Sequence, residues 1–243
     1  MSARIEVARE GAVLIAAFAR PEKKNAITGA MYEALIEAFA LAGRGGVFTA
    51  GNDIGDFLSI ASRAAGSPDA AAFPASRFVA RLADFEKPLV AAVDGQAVGV
   101  GTTLCFHCDL VYATPAARFH MPFVNLGLVP EAGSSLLAPQ RFGRAKAAEL
   151  LMLAEPFDGE AALALGFVNA LVPAESLLAH AVGKAAALAA KPRSALLSTR
   201  RLLRGDLAPL KARLAEENQA FAAALASTEA RAAFMAFMAG AKK

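Results

Sequence analysis

The sequence predicts an α/β fold in which a β-rich first part is followed by a helical C-terminal part. Short apolar runs alternate with glycine-containing turns before Pro130, and a helical period of about 3.6 residues dominates after it. Of the 243 residues, 56% are hydrophobic and 19% are charged, which excludes a disordered chain. This length suits one domain, or one domain with an appendage, and it is sufficient for a sizeable hydrophobic core.

The first part predicts a hairpin, helices and several short strands. Residues 5–9 and 12–18 are β-rich and flank Glu10-Gly11, which predicts an N-terminal hairpin. Thr28 is placed to cap a helix over residues 29–40. A further helix is expected at 73–85, and further strands are expected at 89–93, 109–114 and 117–120.

After Pro130 the chain is helical apart from one short strand at residues 168–172. Ser227 is placed to cap the last helix. The other helices are expected at 136–142, 145–154, 159–165, 174–190, 193–203 and 207–226.

Charge and hydropathy exclude several classes of partner. The net charge of +3 is too small to indicate nucleic-acid binding, but it is compatible with an anionic small molecule. No apolar run reaches about 18 residues, so we expect no membrane span. The first residues carry frequent charges and no apolar core, so we expect no signal peptide. The presence of only two cysteines indicates a reducing compartment, and we expect a cytoplasmic protein.

Cys105 and Cys108 form a C-x-x-C pattern around His107. A zinc site needs about four ligands, and the sequence has no second cysteine pair. We therefore expect two buried cysteines in a core helix and no metal site. The histidines are scattered and lie beside no nucleophile motif, so we expect structural roles for them.

Two glycine turns follow apolar strands, at Gly51-Asn52-Asp53 and at Gly99-Val100-Gly101. Each is a strand-to-helix switch at which a backbone N–H lacks a helical partner. Two such donors can converge on one carbonyl oxygen and stabilise a negative charge there. On spacing alone, two ordinary glycine turns are the favoured interpretation.

Glu131 follows apolar residues and Pro130. A carboxylate in apolar surroundings has a raised pKa and can act as both general base and general acid. The alternative is a glutamate that only favours the N-terminus of the following helix.

Together these stretches resemble the crotonase superfamily, the enoyl-CoA hydratase/isomerase family. The similarity covers nearly the whole chain and runs in order through motifs at residues 20–26, 48–53, 92–101, 117–119, 127–130, 144–145 and 164–169. The resemblance implies a crotonase (ClpP-like) spiral of ββα units over residues 1–188 and a helical trimerisation part over residues 189–243. It also implies a homotrimer or homohexamer, for which Phe221, Leu225, Phe234 and Phe237 are candidate interface residues.

The same resemblance implies an acyl-CoA thioester as the substrate. The N–H groups of Asn52 and Val100 would form an oxyanion hole for the thioester oxygen. The substrate-binding residues would be Ala50, Gly51, Asn52, Asp53, Ile54 and Gly99.

The family's hydratases position water with two glutamates, and these positions fall on Thr103 and Phe123 here. Glu131 remains, in a stretch similar to that of the peroxisomal-type 3,2-enoyl-CoA isomerases. The resemblance therefore implies an isomerase that moves a double bond from position 3 to position 2 through Glu131. No metal or redox cofactor is expected, since coenzyme A enters with the substrate. The alternatives are a hydratase, a thioester hydrolase or a catalytically silent CoA-binding protein.

One departure from the family concerns the segment from Asn25 to Asp53, which is about a dozen residues shorter than usual. The core strand before Ala42 is therefore expected to be lost, either because the fold is rebuilt there or because a segment is missing from the sequence.

Overall fold

The computed structural model describes residues 5–37, 41–43, 47–53, 55 and 74–240. Within them the strands form two sheets. The first sheet contains, in spatial order, β1 (Ile5–Glu10), β2 (Val13–Phe18), β3 (Leu41–Gly43), β5 (Val90–Val93), β7 (Leu110–Ala113) and β10 (Ala170–Leu171). The second contains β4 (Val47–Thr49), β6 (Gln96–Val98), β8 (Arg118–His120) and β9 (Phe157–Asp158).

Successive strand pairs alternate between the two sheets, which makes the chain a spiral. β3, β5 and β7 lie parallel in the first sheet, and the strand that follows each of them lies parallel in the second. β1 and β2 pair in antiparallel fashion and form the predicted hairpin. The mixed architecture and the spiral of strand pairs confirm the predicted fold class.

The expectation that a core strand is lost is wrong. Leu41–Gly43 pairs with β2 on one side and with β5 on the other, so the first sheet is continuous across the shortened segment. Only three residues form this strand. An Ala-Gly pair beside a glycine-rich stretch of sequence has little β propensity, and its position between two longer strands decides its conformation.

Helices cover the outside of the spiral and form most of the chain after Pro130. The described helices before it are α1 (Gly29–Glu37), α2 (Pro74–Asp84) and α3 (Val100–Thr103). Those after it are α4 (Ser134–Phe142), α5 (Arg144–Ala148), α6 (Gly159–Ala164), α7 (Ala174–Ala189), α8 (Arg193–Arg204), α9 (Ala208–Leu225) and α10 (Thr228–Gly240).

Two helix caps follow the prediction. The Met31 N–H donates to the Thr28 hydroxyl over 3.3 Å, and the Ala230 N–H donates to the Ser227 hydroxyl over 3.0 Å. The glycine-rich stretch after β5 differs from the prediction, because Gln96–Val98 forms a strand there rather than only a turn. Gly95, with φ of 66°, is the corner at which the chain passes from the first sheet to the second.

The C-terminal helices pack on the core of the same chain. Arg200 of α8 is buried, and its Nε lies 2.8 Å from both carboxylate oxygens of Asp109. Phe234 of α10 is 3% exposed and belongs to the main hydrophobic core, so it is not available as an interface residue. Phe237 is 51% exposed. The boundary at residue 189 and the oligomeric state stay predictions.

Candidate active site

The two glycine turns lie directly against each other. A Cβ atom on Gly51 would lie 2.7 Å from the Val98 carbonyl oxygen, and one on Gly101 would lie 2.5 Å from the Thr49 side chain. Both contacts are far below the ordinary separation of such atoms, so glycine is required at both positions for this approach. Parallel pairing of β4 with β6 brings the two turns to the same edge of the second sheet.

At these turns the backbone N–H groups of Asn52 and Val100 have no acceptor among the described residues. The neighbouring groups are occupied. The Ile27 N–H donates to the Gly51 carbonyl over 2.8 Å, and the Gly99 N–H donates to the His120 carbonyl over 2.8 Å. Val100 is the first residue of α3, where an N–H has no partner within the helix. Within the described ranges, the two predicted donors thus lie on adjacent turns without a partner.

Glu131 lies against the same short helix that begins at Val100. The Thr103 hydroxyl, at the other end of α3, donates to Glu131 Oε1 over 2.5 Å. Thr103 itself is fully buried and Glu131 is partly buried. The four-residue helix α3 therefore begins at Val100 and ends at Thr103, the residue that binds the Glu131 carboxylate.

Burial raises the pKa of Glu131 from 4.5 to about 7. The Thr103 hydrogen bond lowers this pKa, because it favours the charged form, and the negative charge of Glu217 raises it. A carboxyl group with a pKa near neutrality is suited both to accept and to return a proton.

Tyr32 contacts the first turn and is not among the site residues that the sequence predicts. Its hydroxyl donates to Asn52 Oδ1 over 2.6 Å. Burial and the nearby charge of Glu131 raise the pKa of Tyr32, so its hydroxyl stays protonated. In the sequence, Tyr32 lies on the apolar face of a predicted helix. No local pattern distinguishes it from the residues that only fill the hydrophobic core.

Glu131 does not serve the helix that follows it. α4 begins at Ser134, and the carboxylate at its N-terminus is that of Glu217, which accepts hydrogen bonds from the Gly133 and Ser135 N–H groups. This contact contradicts the alternative that Glu131 only favours the helix N-terminus.

Of the remaining predicted binding residues, Ala50 and Asp53 flank the first turn and Gly99 lies in the second. The Ala50 N–H donates to the Lys24 carbonyl over 2.9 Å, and Arg20 Nη1 pairs with Asp53 Oδ2 at 2.7 Å. Gly99 adopts φ of 55° immediately before α3. Ile54, the other predicted residue, lies outside the described residues.

The cysteines and histidines have the structural roles that were expected. Cys105 and Cys108 are buried free thiols, and burial raises the pKa of both. His107 and His120 bond through Nε2 to the carbonyls of Ala132 and Ala154, each at 2.8 Å. His180 packs edge-on against the Tyr112 ring.

Over the described part of the chain, no group of three or more histidine, cysteine or acidic side chains is arranged to hold a metal ion. No helix in these ranges combines the length and apolarity needed to cross a lipid bilayer.

The fold and this site define a class of protein: an α/β spiral in which two glycine turns lie against each other and a carboxyl group is bound at the far end of the short helix that the second turn begins. The chain belongs to the enoyl-CoA hydratase/isomerase family, because the model of that family matches residues 8–242.

Individual relatives within the family differ in the reaction that they are named for. The chain is 39% identical over 180 residues to enoyl-CoA delta isomerase 2 of Rattus norvegicus, covering 70% of this chain and 46% of that protein. It therefore spans less than half the length of that isomerase. It is 32% identical over 238 residues to 2,3-dehydroadipyl-CoA hydratase of Escherichia coli (strain K12), covering 93% of this chain and 91% of that protein.

The fold is also similar to solved structures over nearly its whole length. The structure of Pseudomonas aeruginosa OdaA superposes with a TM-score of 0.86 at 44% sequence identity, covering 98% of this chain and 99% of that one.

Proposed function

We propose that the chain is an enoyl-CoA isomerase that moves a double bond from position 3 to position 2 of an acyl-CoA thioester. Glu131 removes a proton from C2, and the electron pair of that C–H bond forms a double bond between C1 and C2 as the thioester oxygen becomes negative. The same group then returns the proton to C4. The carbonyl re-forms, the C3–C4 double bond shifts to C2–C3, and no other reactant is consumed.

The backbone of the two glycine turns stabilises the charge on the thioester oxygen. The Asn52 and Val100 N–H groups donate to this oxygen as it becomes negative, and fixed donors of this kind lower the barrier most where charge develops. The Tyr32 hydroxyl holds the Asn52 side chain over 2.6 Å and thereby restrains the first turn. The chemistry needs no metal and no redox cofactor.

The hydrogen bond from Thr103 to Glu131 is the observation that carries the proposal. In the hydratases that the sequence resembles, a glutamate at this position binds and orients the water molecule that is added. Here the position holds a hydroxyl that donates to the Glu131 carboxyl group. Phe123, at the other such position, is buried in the hydrophobic core. One proton carrier suffices for double-bond migration, whereas water addition lacks its second carboxylate.

A panel of acyl-CoA thioesters tests the proposal. Purified protein is assayed with 3-enoyl-CoA substrates for double-bond migration and with 2-enoyl-CoA substrates for water addition. We expect faster migration than hydration, and we expect Glu131→Gln to lower migration by about 10²-fold or more, because the amide keeps the shape but not the basicity. Hydration that is faster than migration, or a Gln variant near the wild-type rate, contradicts the proposal.

Hydration is the second candidate, and the match to the hydratase of Escherichia coli favours it, because that match covers more of both chains than the match to the isomerase. A silent CoA-binding protein would be inactive in both assays while binding the thioester. Calorimetric binding of a saturated acyl-CoA separates that outcome from a failure to bind.

A further inference from the structure

The residues that follow Glu131 have a backbone that needs support. Ala132 and Gly133 are both left-handed, with φ of 60° and 70°. A left-handed backbone conformation costs an alanine about 1 kcal/mol, so contacts with other residues are needed to stabilise this turn. Because Glu131 is the residue before the turn, the direction of its carboxyl group depends on whatever fixes Ala132 and Gly133.

Glu217 of α9 supplies one support from far along the chain. Its Oε2 accepts a hydrogen bond of 2.6 Å from the Gly133 N–H. Its Oε1 accepts bonds of 2.9 Å from the Ser135 N–H and 2.6 Å from the Ser135 hydroxyl. Glu217 is 5% exposed, and Arg213 Nη1 donates to the Ser135 hydroxyl over 3.2 Å. Three hydrogen-bond donors engage one buried carboxylate, and both of its oxygens act as acceptors. The Glu217 side chain is therefore held in a defined orientation.

His107 supplies the second support from the opposite side. Burial lowers the pKa of His107 to about 4, so the ring is neutral at physiological pH. Since a carbonyl oxygen only accepts, the Nε2–H must donate to Ala132 across the 2.8 Å that separates them. The turn is therefore fixed through its carbonyl by His107 and through its N–H groups by Glu217.

We propose that Glu217 is a positioning residue for Glu131: it fixes the turn at Ala132-Gly133 so that the Glu131 carboxyl group stays on the Thr103 hydroxyl and beside the oxyanion donors. This inference rests on the proposed function. It makes α9 of the C-terminal part a component of the site in its own chain.

Glu217 also acts on Glu131 through charge. Its negative charge raises the pKa of Glu131, in addition to the larger effect of burial. Among the described residues, Tyr32 and His107 also face this region, and both are neutral near pH 7. Arg213 partly offsets the charge of Glu217. Loss of the Glu217 charge is therefore expected to change the pH dependence, and loss of its hydrogen bonds is expected to change kcat.

The variant Glu217→Gln tests the inference. An amide presents only one acceptor oxygen, so its NH2 group must face the N–H of either Gly133 or Ser135. We expect kcat for double-bond migration to fall by about 10- to 100-fold with KM changed by less than about threefold, since the acting group is misplaced rather than lost. The acid limb of the pH profile of kcat/KM should move to lower pH, because a negative charge beside Glu131 is gone.

Glu216→Gln is the matched control, because it makes the same chemical change one residue earlier on the same helix. The Glu216 side chain is 72% exposed and pairs with Arg213 at the surface. We expect it to keep the wild-type kcat and pH profile. If the Glu217→Gln protein unfolds at a lower temperature but keeps the wild-type kcat and pH profile, Glu217 serves only as a helix cap. That outcome would overturn the inference.

Ser135→Ala keeps the test decisive if Glu217→Gln does not fold, because it removes one donor and leaves the carboxylate in place. A lower kcat at an unchanged unfolding temperature supports the inference, and an unchanged kcat overturns it. Glu131→Gln is assayed in parallel. If that variant is active, the proposed function itself fails. If it is inactive while Glu217→Gln keeps the wild-type rate, only the present inference fails.

Discussion

The hydroxyl group of Thr103 and the carboxyl group of Glu131 share a hydrogen bond of 2.5 Å between Oγ1 and Oε1. The two residues are 28 positions apart and lie on separate elements, one at the end of α3 and one before α4. Because α3 begins at Val100, the same four-residue helix presents a backbone donor at one end and orients the carboxyl group at the other. If Val100 and Glu131 have the proposed roles, this one short helix relates the position of the oxyanion donor to that of the base.

Thr103→Val removes that hydroxyl and keeps the shape of the side chain. We expect kcat to fall by about tenfold, the effect of one lost hydrogen bond to a charged group. The hydrogen bond lowers the pKa of Glu131, so its loss should move the acid limb of the activity profile to higher pH. Steady-state rates across a pH series measure both effects. A lower kcat with the acid limb unmoved would count against a direct bond to Glu131.

The activity of the wild-type protein should depend on pH near neutrality. Burial raises the pKa of Glu131 to about 7, and only the ionised form can accept a proton. We expect kcat/KM for double-bond migration to rise through about pH 7 and then to level off. Rates measured from about pH 5.5 to about pH 9 at constant ionic strength test this. A flat profile would mean that a group with an unshifted pKa, or no carboxyl group, transfers the proton.

The same raised pKa makes Glu131 costly for stability above neutrality. The folded protein binds this proton more tightly than the unfolded chain does, so the contribution of Glu131 to stability falls as pH rises from about 4.5 to about 7. Glu131→Gln carries no such charge. We expect it to unfold at a higher temperature than the wild type at about pH 8, and we expect this advantage to shrink toward about pH 5. An advantage that is equal at both pH values would contradict the raised pKa.

Local patterns predicted most elements, and the missed features depend on contacts between distant residues. Gln96–Val98 is too short and too close to glycines to be distinguished from a turn, and it becomes a strand by pairing with β4 and β8. Thr103 was noted only as the position of a missing glutamate. Glu217 resembles any charged residue of a surface helix, and nothing nearby in the sequence indicates that it is buried 84 positions from Gly133.

Parts of the candidate site were predictable where the backbone conformation favours a particular residue type. Gly51 and Gly99 mark the two turns because their φ values of 84° and 55° favour glycine. Glu131 follows a proline in an apolar stretch, which indicated a raised pKa. Tyr32 and His107 act through single hydrogen bonds, to Asn52 and to the Ala132 carbonyl, and such bonds have no sequence pattern.

The close approach of the two turns should be more important for activity than for folding, and Gly51→Ala tests this. The new Cβ would meet the Val98 carbonyl at 2.7 Å in a backbone that already has φ of 84°, so the turns must separate and carry the Asn52 N–H with them. Misplacing one such donor lowers kcat by about 10²-fold or more.

Gly11→Ala is the control, since Gly11 has φ of 58° with nothing within 4 Å of its Cβ position. It should lose about 1 kcal/mol of stability and keep the wild-type kcat, because it carries the conformational cost without the contact. Rates and urea unfolding of both variants separate the two effects. If Gly51→Ala loses no more activity than Gly11→Ala does, the Asn52 N–H is not part of the oxyanion hole.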